Sequence, residues 1–310
     1  MKKFLAVLLA SVAIVSMAIG FTACGGEKNI TVVVREAGSG TREAFDKVVT
    51  DGEHYLEEKD ANGQKVYNTT DKADIQKETG NVMTKVANDV NAIGYVSLGS
   101  VNDTVKVVRV EGVAPSATTV LDGSYKIQRP FVIMTNSDVT LTARASDFLT
   151  YLKSEASEDH ADEAGCIYLS NPAMRANVGE TAIPVEDFTA EATLPEGDKI
   201  VINGSTSMEK FIKNAMEGYA DLYGTTADAI FTLDLQGSSV GKSAVKNDNA
   251  GNVIGLSSAS VAEDGIDSFN VCLDAVAVVV NNNNETVNDL TLAQLYDIFS
   301  GQITKFGELG

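Results

Sequence analysis

Apolar residues in this chain gather in short blocks that end in Gly/Ser/Thr loops. Each loop leads into a segment whose apolar positions recur at helical spacing. Three units show this clearly: Ile30-Thr-Val-Val-Val-Arg35 before Glu-Ala-Gly-Ser-Gly-Thr41, Lys199-Ile-Val-Ile-Asn203 before Gly-Ser-Thr-Ser207, and Ile230-Phe-Thr-Leu-Asp-Leu235 before Gln-Gly-Ser-Ser239. The blocks predict buried strands and the spaced positions predict helices. Phe45, Val48 and Val49 share one helical face after the first loop. Met208, Phe211, Ile212, Ala215, Met216 and Tyr219 form a core-packing stripe after the second. Val82, Val86 and Val90 mark a further helix, as do Ser146 to Lys153 and Leu292 to Phe299, whereas residues 51–78 read as a polar loop. Ala92 to Gly99, Val105 to Val110, Ser124 to Met134 and Val271 to Val280 read as strands. Alternating strands and helices predict α/β layers with mainly parallel strands. In open sheets of that class, ligands bind beyond the carboxyl ends of strands, where all three loops fall.

The 310 residues exceed one small core, so two domains are expected. Residues 183–198 are acidic, contain Pro184 and Pro195, and keep no period, which places a connector there. Residues 1–23 have the form of a signal peptide: Lys2 and Lys3, an apolar run from Phe4 to Gly20, then Phe21-Thr-Ala before Cys24. This is similar to a bacterial lipoprotein signal in which Cys24 becomes the lipidated first residue, although Phe21 stands where leucine is usual. An uncleaved membrane anchor is the alternative, since the run is long enough to span. Either way the bulk of the protein is expected outside the cytoplasm. No other stretch is apolar enough to cross a membrane. Cys166 and Cys272 either pair in that oxidising setting or serve as small buried residues.

A formal net charge of −19 excludes nucleic acid and anionic membrane surfaces as natural partners. A binder of small anions must then rely on local geometry, which the loops supply. Glycines such as Gly38 and Gly40 let backbone approach a ligand, and the first N–H groups of each helix lack partners. Ser39 and Thr41 add hydroxyls, as do Ser205, Thr206 and Ser207 in the second loop and Ser238 and Ser239 in the third. Arg35 ends its strand just before the first loop, where a guanidinium can fork onto two oxygens of a tetrahedral anion. Any one of these serines could instead be a helix N-cap. Three converging loops would make an oxyanion cage.

Other chemistry fits poorly. Gly237-Ser-Ser-Val-Gly241 matches a nucleophile elbow around Ser239, but a hydrolase of that type needs a later histidine. His54 and His160 both precede it, in charged stretches. Gly237 to Ser243 falls one residue short of a nucleotide P-loop. No His/Cys cluster or calcium-loop pattern calls for a metal, and no cofactor is expected.

At these residues the chain resembles the phosphate-binding lipoproteins of bacterial phosphate ABC importers. The likeness is carried by Arg35-Glu-Ala-Gly-Ser-Gly-Thr-Arg42, Asn91-Ala-Ile-Gly-Tyr-Val-Ser-Leu-Gly99, Arg129-Pro-Phe131, Gly204-Ser-Thr-Ser207, Gly237-Ser-Ser239, Leu273 to Asn281 and Leu292 to Thr304. The resemblance implies a two-domain clamshell of the type II periplasmic-binding-protein kind, with mixed sheets flanked by helices. One lobe would join 28–97 to 276–310 and carry the Arg35 loop. The other would join 98–182 to 199–275 and carry the Thr206 and Ser238 loops. Crossover strands would lie near Val96 to Ser100 and near Leu273 to Ala277. It also implies inorganic phosphate as ligand, a membrane permease as partner, a monomeric receptor and no bond chemistry. The family contacts map onto Arg35, Ser39, Thr41, Thr206 and Ser238.

Three departures follow from the same comparison of motifs. In the family the Gly-Ser-Thr-Ser segment comes first, whereas here the Arg35 segment opens the mature chain and Ser300 to Leu309 closes it. That order implies a circular permutation, with residues near 28 and 310 as neighbours. The stretch Gly255-Leu-Ser-Ser-Ala-Ser260 lacks the aspartate that accepts the proton of hydrogen phosphate, and offers Ser258 as a contact, which leaves sulfate or another tetrahedral oxyanion open. Ala37 replaces an aspartate that would partner Arg35.

Overall fold

The computed structural model describes residues 28–168 and 185–309. The signal segment, Cys24 and residues 183 and 184 of the connector lie outside the described residues. The strands are β1 (Thr31–Arg35), β2 (Glu57–Lys59), β3 (Lys65–Tyr67), β4 (Asp74–Gln76), β5 (Ala92–Ser97), β6 (Val105–Val110), β7 (Gln128–Asn136), β8 (Ile167–Tyr168), β9 (Ile200–Gly204), β10 (Phe231–Asp234), β11 (Val253–Ser257), β12 (Ile266–Asn281) and β13 (Asp289–Leu290). The main path through the sheet runs β10-β9-β11-β7-β12-β5-β1-β4. Strands β10, β9 and β11 are parallel, as are β5, β1 and β4, while β7 and β12 run antiparallel to their neighbours. The strands of the three Gly/Ser units, β1, β9 and β10, lie in these two parallel sets.

Strand β12 joins two half-sheets. Its first part, Ile266 to Ala275, pairs with β7 and β8; its second, Val276 to Asn281, pairs with β5 and β6. Each half has its own core. Val32, Phe45, Ile93, Tyr95, Val278, Leu295 and Phe299 pack in one, with Phe45 stacked on Tyr95 at 4.1 Å between centroids. Ile133, Phe148, Ile202, Phe211, Tyr219 and Ile254 pack in the other, and the predicted stripe from Met208 to Tyr219 is buried there. Each such side chain contributes roughly 1.5–3 kcal/mol of burial.

Local sequence sets the helix ends. Ser39 accepts from the Arg42 N–H to cap Gly40–Asp46, and a Thr291/Gln294 capping box starts Leu292–Ser300. Gly301, at φ 84°, stops that last helix in the left-handed region. The helix Thr79–Asn88 ends before Val90, which is exposed rather than on the expected face. Residues 51–78 are not all loop: β2 and β3 form a hairpin and β4 pairs with β1.

The structure places β6 against Val278 to Asn281, and Val108, Val110, Val120, Tyr125 and Ile127 enter the core beneath β1. Residues 98–127 therefore sit with the half that carries Arg35, not with residues 199–275 as the motifs imply. The chain crosses between halves at Ile127–Arg129, where Val276 N–H donates to the Ile127 carbonyl at 2.8 Å, and at Asp274–Val276. Ser97 to Ser100 is a turn within the first half. Of the connector, residues 185–198 carry no helix or strand, and Phe188 and Leu194 pack on the second core. Near the ends of the described residues, Ile30 N–H donates to the Thr304 carbonyl at 2.7 Å. Cys166 and Cys272 are buried free thiols. Among the described residues, no helix is long and apolar enough to cross a membrane.

Candidate functional site

Five strands, two from one parallel set and three from the other, end at one place. From the first half come Arg35 at the end of β1 and, beyond β4, Thr79 at the start of its helix. From the second come Ser205 to Ser207 after β9, Gly237 to Ser239 after β10, and Ser257 and Ser258 at the end of β11. Arg35, Ser39, Thr41, Thr79, Ser205, Thr206, Ser207, Ser238 and Ser258 are all buried where the halves meet.

Hydroxyls bridge the seam. Thr41 Oγ1 lies 2.9 Å from Ser207 Oγ, and Thr79 Oγ1 lies 3.1 Å from Thr206 Oγ1 and 3.4 Å from Ser207 Oγ. Within the second half, Ser205 Oγ donates to Ser258 Oγ at 2.8 Å. The Ser258 N–H donates to Ser238 Oγ at 3.1 Å. The glycines allow this closeness. A Cβ on Gly40 would lie 2.5 Å from the Ser258 carbonyl carbon, and one on Gly38 (φ 89°) 2.8 Å from Ser239 Oγ. Gly38 and Ser239 themselves are exposed and form the rim. Ser239 thus lies outside the buried set that the sequence pattern groups it with. Ser39 and Ser205 cap their own turns, as the N-cap alternative expects.

Arg35 is 2% exposed, and four of its five guanidinium N–H groups have partners. Its Nε and Nη2 donate to Glu36 Oε2 and Oε1 at 2.9 and 3.0 Å, Nη2 also reaches the Lys77 carbonyl at 2.8 Å, and Nη1 donates to Thr79 Oγ1 at 3.2 Å. The alanine at position 37 therefore leaves Arg35 paired, because the adjacent Glu36 takes the fork. Behind it, Arg42 Nη1 donates to the Arg35 carbonyl at 3.1 Å, and Arg42 Nε pairs with Asp46 at 3.0 Å. Tyr95 Oη accepts from the Arg35 N–H at 3.3 Å, and burial raises its phenol.

Burial is also the main reason the Asp46 carboxyl is pushed up to about 6, against the pull of Arg42. A raised folded value means that the protonated form favours folding. The contribution is full below about pH 4 and fades as pH rises through about 6. Thermal melts of the parent and Asp46→Asn should therefore show the parent losing ground between pH 4 and 6, and no pH-dependent difference would contradict this.

Thr79 escapes a search for Gly/Ser units, and although Glu36 and Arg42 stand in the first motif, their roles cannot be read from it. The sole cue for Thr79 is its place three residues before Val82, at the head of an apolar helical series. Thr79 links Arg35 to Thr206 and Ser207 of the second half, so Thr79→Val is expected to weaken anion binding by about threefold to tenfold in calorimetry.

Chemically, the site offers hydroxyls, helix-start amides and a guanidinium, which together suit an anion. Among the described residues no His/Cys/Asp/Glu group could hold a metal. His54 pairs with Glu58 on the surface and His160 with Tyr151 at 2.6 Å, so neither is placed as a base for Ser239 by these bonds.

The chain as a whole is similar to known proteins. The family model for the PBP superfamily domain matches residues 23–156 and 189–308. The phosphate-binding protein PstS 2 of Streptococcus pneumoniae (strain TIGR4) is 32% identical over 302 residues, covering 94% of each chain. The phosphate-binding protein PstS 2 of Streptococcus agalactiae (2603 V/R) is 32% identical over 284 residues, covering 90% of this chain and 87% of its own. The crystal structure of the phosphate-binding protein of a phosphate ABC transporter from Streptococcus pneumoniae TIGR4 superposes with a TM-score of 0.62 over 91% of this chain and 100% of that one. The chain belongs to the periplasmic-binding-protein superfamily and, within it, to the PstS family of phosphate-binding proteins.

Proposed function

We propose that this protein captures inorganic phosphate between its two half-sheets, outside the cytoplasm, and delivers it to the permease of an ABC importer. It is a binding protein and makes or breaks no covalent bond. The observation that carries this is the seam of hydroxyls and helix-start amides, with one guanidinium behind it, drawn from five strand ends. The names of its relatives support phosphate as the ligand. Arg35, Ser39, Thr41, Thr206 and Ser238 hold the anion, with Thr79 and Ser258 beside them. Cys24 carries lipid that tethers a monomeric receptor to the membrane. Residues 28–127 with 276–309, and 128–168 with 185–275, act as lobes of a clamshell that closes by bending at Ile127–Arg129 and Asp274–Val276.

The order of segments is a circular permutation of the form in which Gly-Ser-Thr-Ser comes first. Adjacency of Ile30 and Thr304 supports it, since permuted ends must meet. Titration calorimetry of the mature protein with phosphate and with sulfate tests the ligand. Heat with phosphate and none with sulfate is expected; no heat with phosphate ends the proposal. Equal affinity would make the site a general oxyanion binder, a reading that Ser258, a hydroxyl where a carboxylate acceptor is usual, favours.

A further inference from the structure

Where the chain passes between the halves, three buried polar residues from three strands meet. Asp274 lies on β12 directly opposite Arg129 on β7, and two positions on, Val276 lies opposite Ser97 on β5. Arg129 Nε and Nη2 donate to Asp274 Oδ2 at 3.1 and 2.9 Å. Ser97 Oγ donates to Asp274 Oδ1 at 2.8 Å, and the Leu98 N–H also donates to that carboxylate. The exposures are 3% for Arg129 and 1% each for Asp274 and Ser97. None of the three belongs to the anion cage.

Position makes this cluster more than a buried ion pair. Strand β12 changes partners between Ala275 and Val276, so Asp274 belongs to one half and Ser97–Leu98 to the other. A bend at that point moves the carboxylate away from its Ser97 and Leu98 donors. A buried carboxylate that loses donors is penalised heavily, so the bonds favour the closed setting. The corner that Ser97 begins is also seated tightly on the second half: a Cβ on Gly99 would lie 2.0 Å from the Ala164 carbonyl oxygen. Arg129 Nη1 is buried without a partner, so the guanidinium's bonds all go to Asp274, which it holds in place.

We infer that Asp274, positioned by Arg129, is a clasp across the hinge that holds the lobes closed through Ser97 and Leu98, and so sets how long the ligand stays. This rests on the clamshell proposed above. Loosening the clasp lowers the closed fraction and with it the apparent affinity, although no ligand contact changes. The expected signature lies in release rather than capture.

The test is a chase of radiolabelled phosphate from the mature protein, with small-angle scattering of the same samples. Ser97→Ala is expected to speed release roughly threefold to tenfold, with the association rate unchanged. Its phosphate-bound scattering radius should move toward that of the ligand-free parent, and its ligand-free melting temperature should stay near the parent's, since the clasp acts only in the closed setting. Ser97→Thr, which keeps the hydroxyl, should restore slow release, with Ser97→Cys in between. A merely structural serine would lower the melting temperature and leave release alone, and that outcome overturns the clasp. If the parent binds phosphate without becoming more compact, the clamshell is wrong and the clasp falls with it. If the parent compacts but all Ser97 variants release alike, the clasp alone is wrong.

Discussion

Arg35→Ala is expected to weaken phosphate binding by at least tenfold, the loss typical of one hydrogen bond to a charged group. Two effects add here. The guanidinium supplies the one full positive charge within the buried set, and removing it leaves Glu36 with its carboxylate uncompensated beside the seam. A carboxylate there repels the anion that the site must accept. The same change frees Thr79 Oγ1 and the Lys77 carbonyl, so the first half loses the bonds that orient its share of the cage. Arg35→Lys should recover part of the loss only, because an ammonium cannot span both Glu36 oxygens and Thr79 together. Calorimetry of both variants beside the parent decides it; parent-like affinity in Arg35→Ala would remove Arg35 from the cage.

Gly40→Ala is expected to abolish tight binding while leaving the fold intact or slightly more stable. Gly40 is the first residue of a helix and needs no positive φ, so alanine suits its backbone and favours the helix by roughly 0.5–1 kcal/mol. In the closed arrangement the new methyl would fall 2.5 Å from the Ser258 carbonyl carbon and 2.6 Å from both its carbonyl oxygen and Oγ. Those atoms belong to the opposite half and include backbone, which cannot swing aside as a side-chain tip can. On the proposed closure, the clash arises only with the cleft shut. Affinity should drop by tenfold to about a hundredfold, the scale of overpacking a close contact. The melting temperature without ligand should hold or rise, and the stabilisation that phosphate gives the parent should shrink. A variant that binds as the parent does would show that Gly40 and Ser258 do not approach each other on closing.

Much of this site could be read from sequence because its parts carry local marks. Each of the three units joins an apolar strand to a Gly/Ser loop and a helix start, and such units place their loops at one sheet edge. Two parts carried no such mark. Strand β4 has three residues with Ile75 60% exposed, so the loop that presents Thr79 follows no apolar block. Glu36 stands beside Arg35 in the chain, and nothing in a pair of neighbours shows that one folds back on the other.

Of the two expected crossings, the one near Val96 to Ser100 falls elsewhere, for a related reason. Ala92 to Ser97 is uniformly buried and ends in a turn, which resembles a strand leaving its sheet. The actual crossing at Ile127–Arg129 runs into a long buried strand, β7, without a break in pattern. An arginine buried in such a strand makes sense only with its partner Asp274, 145 residues away. Local pattern reaches elements and loops; it does not reach the pairings that bind distant segments.

The central claim, that loops from both halves close around one tetrahedral anion, is tested most directly by a crystal structure of the mature protein with phosphate. The account predicts one phosphate at the seam, within hydrogen-bond distance of Arg35, Ser39 and Thr41 from one half and Thr206 and Ser238 from the other. Phosphate held by one half alone, or lying on an outer surface away from Arg35, would contradict it.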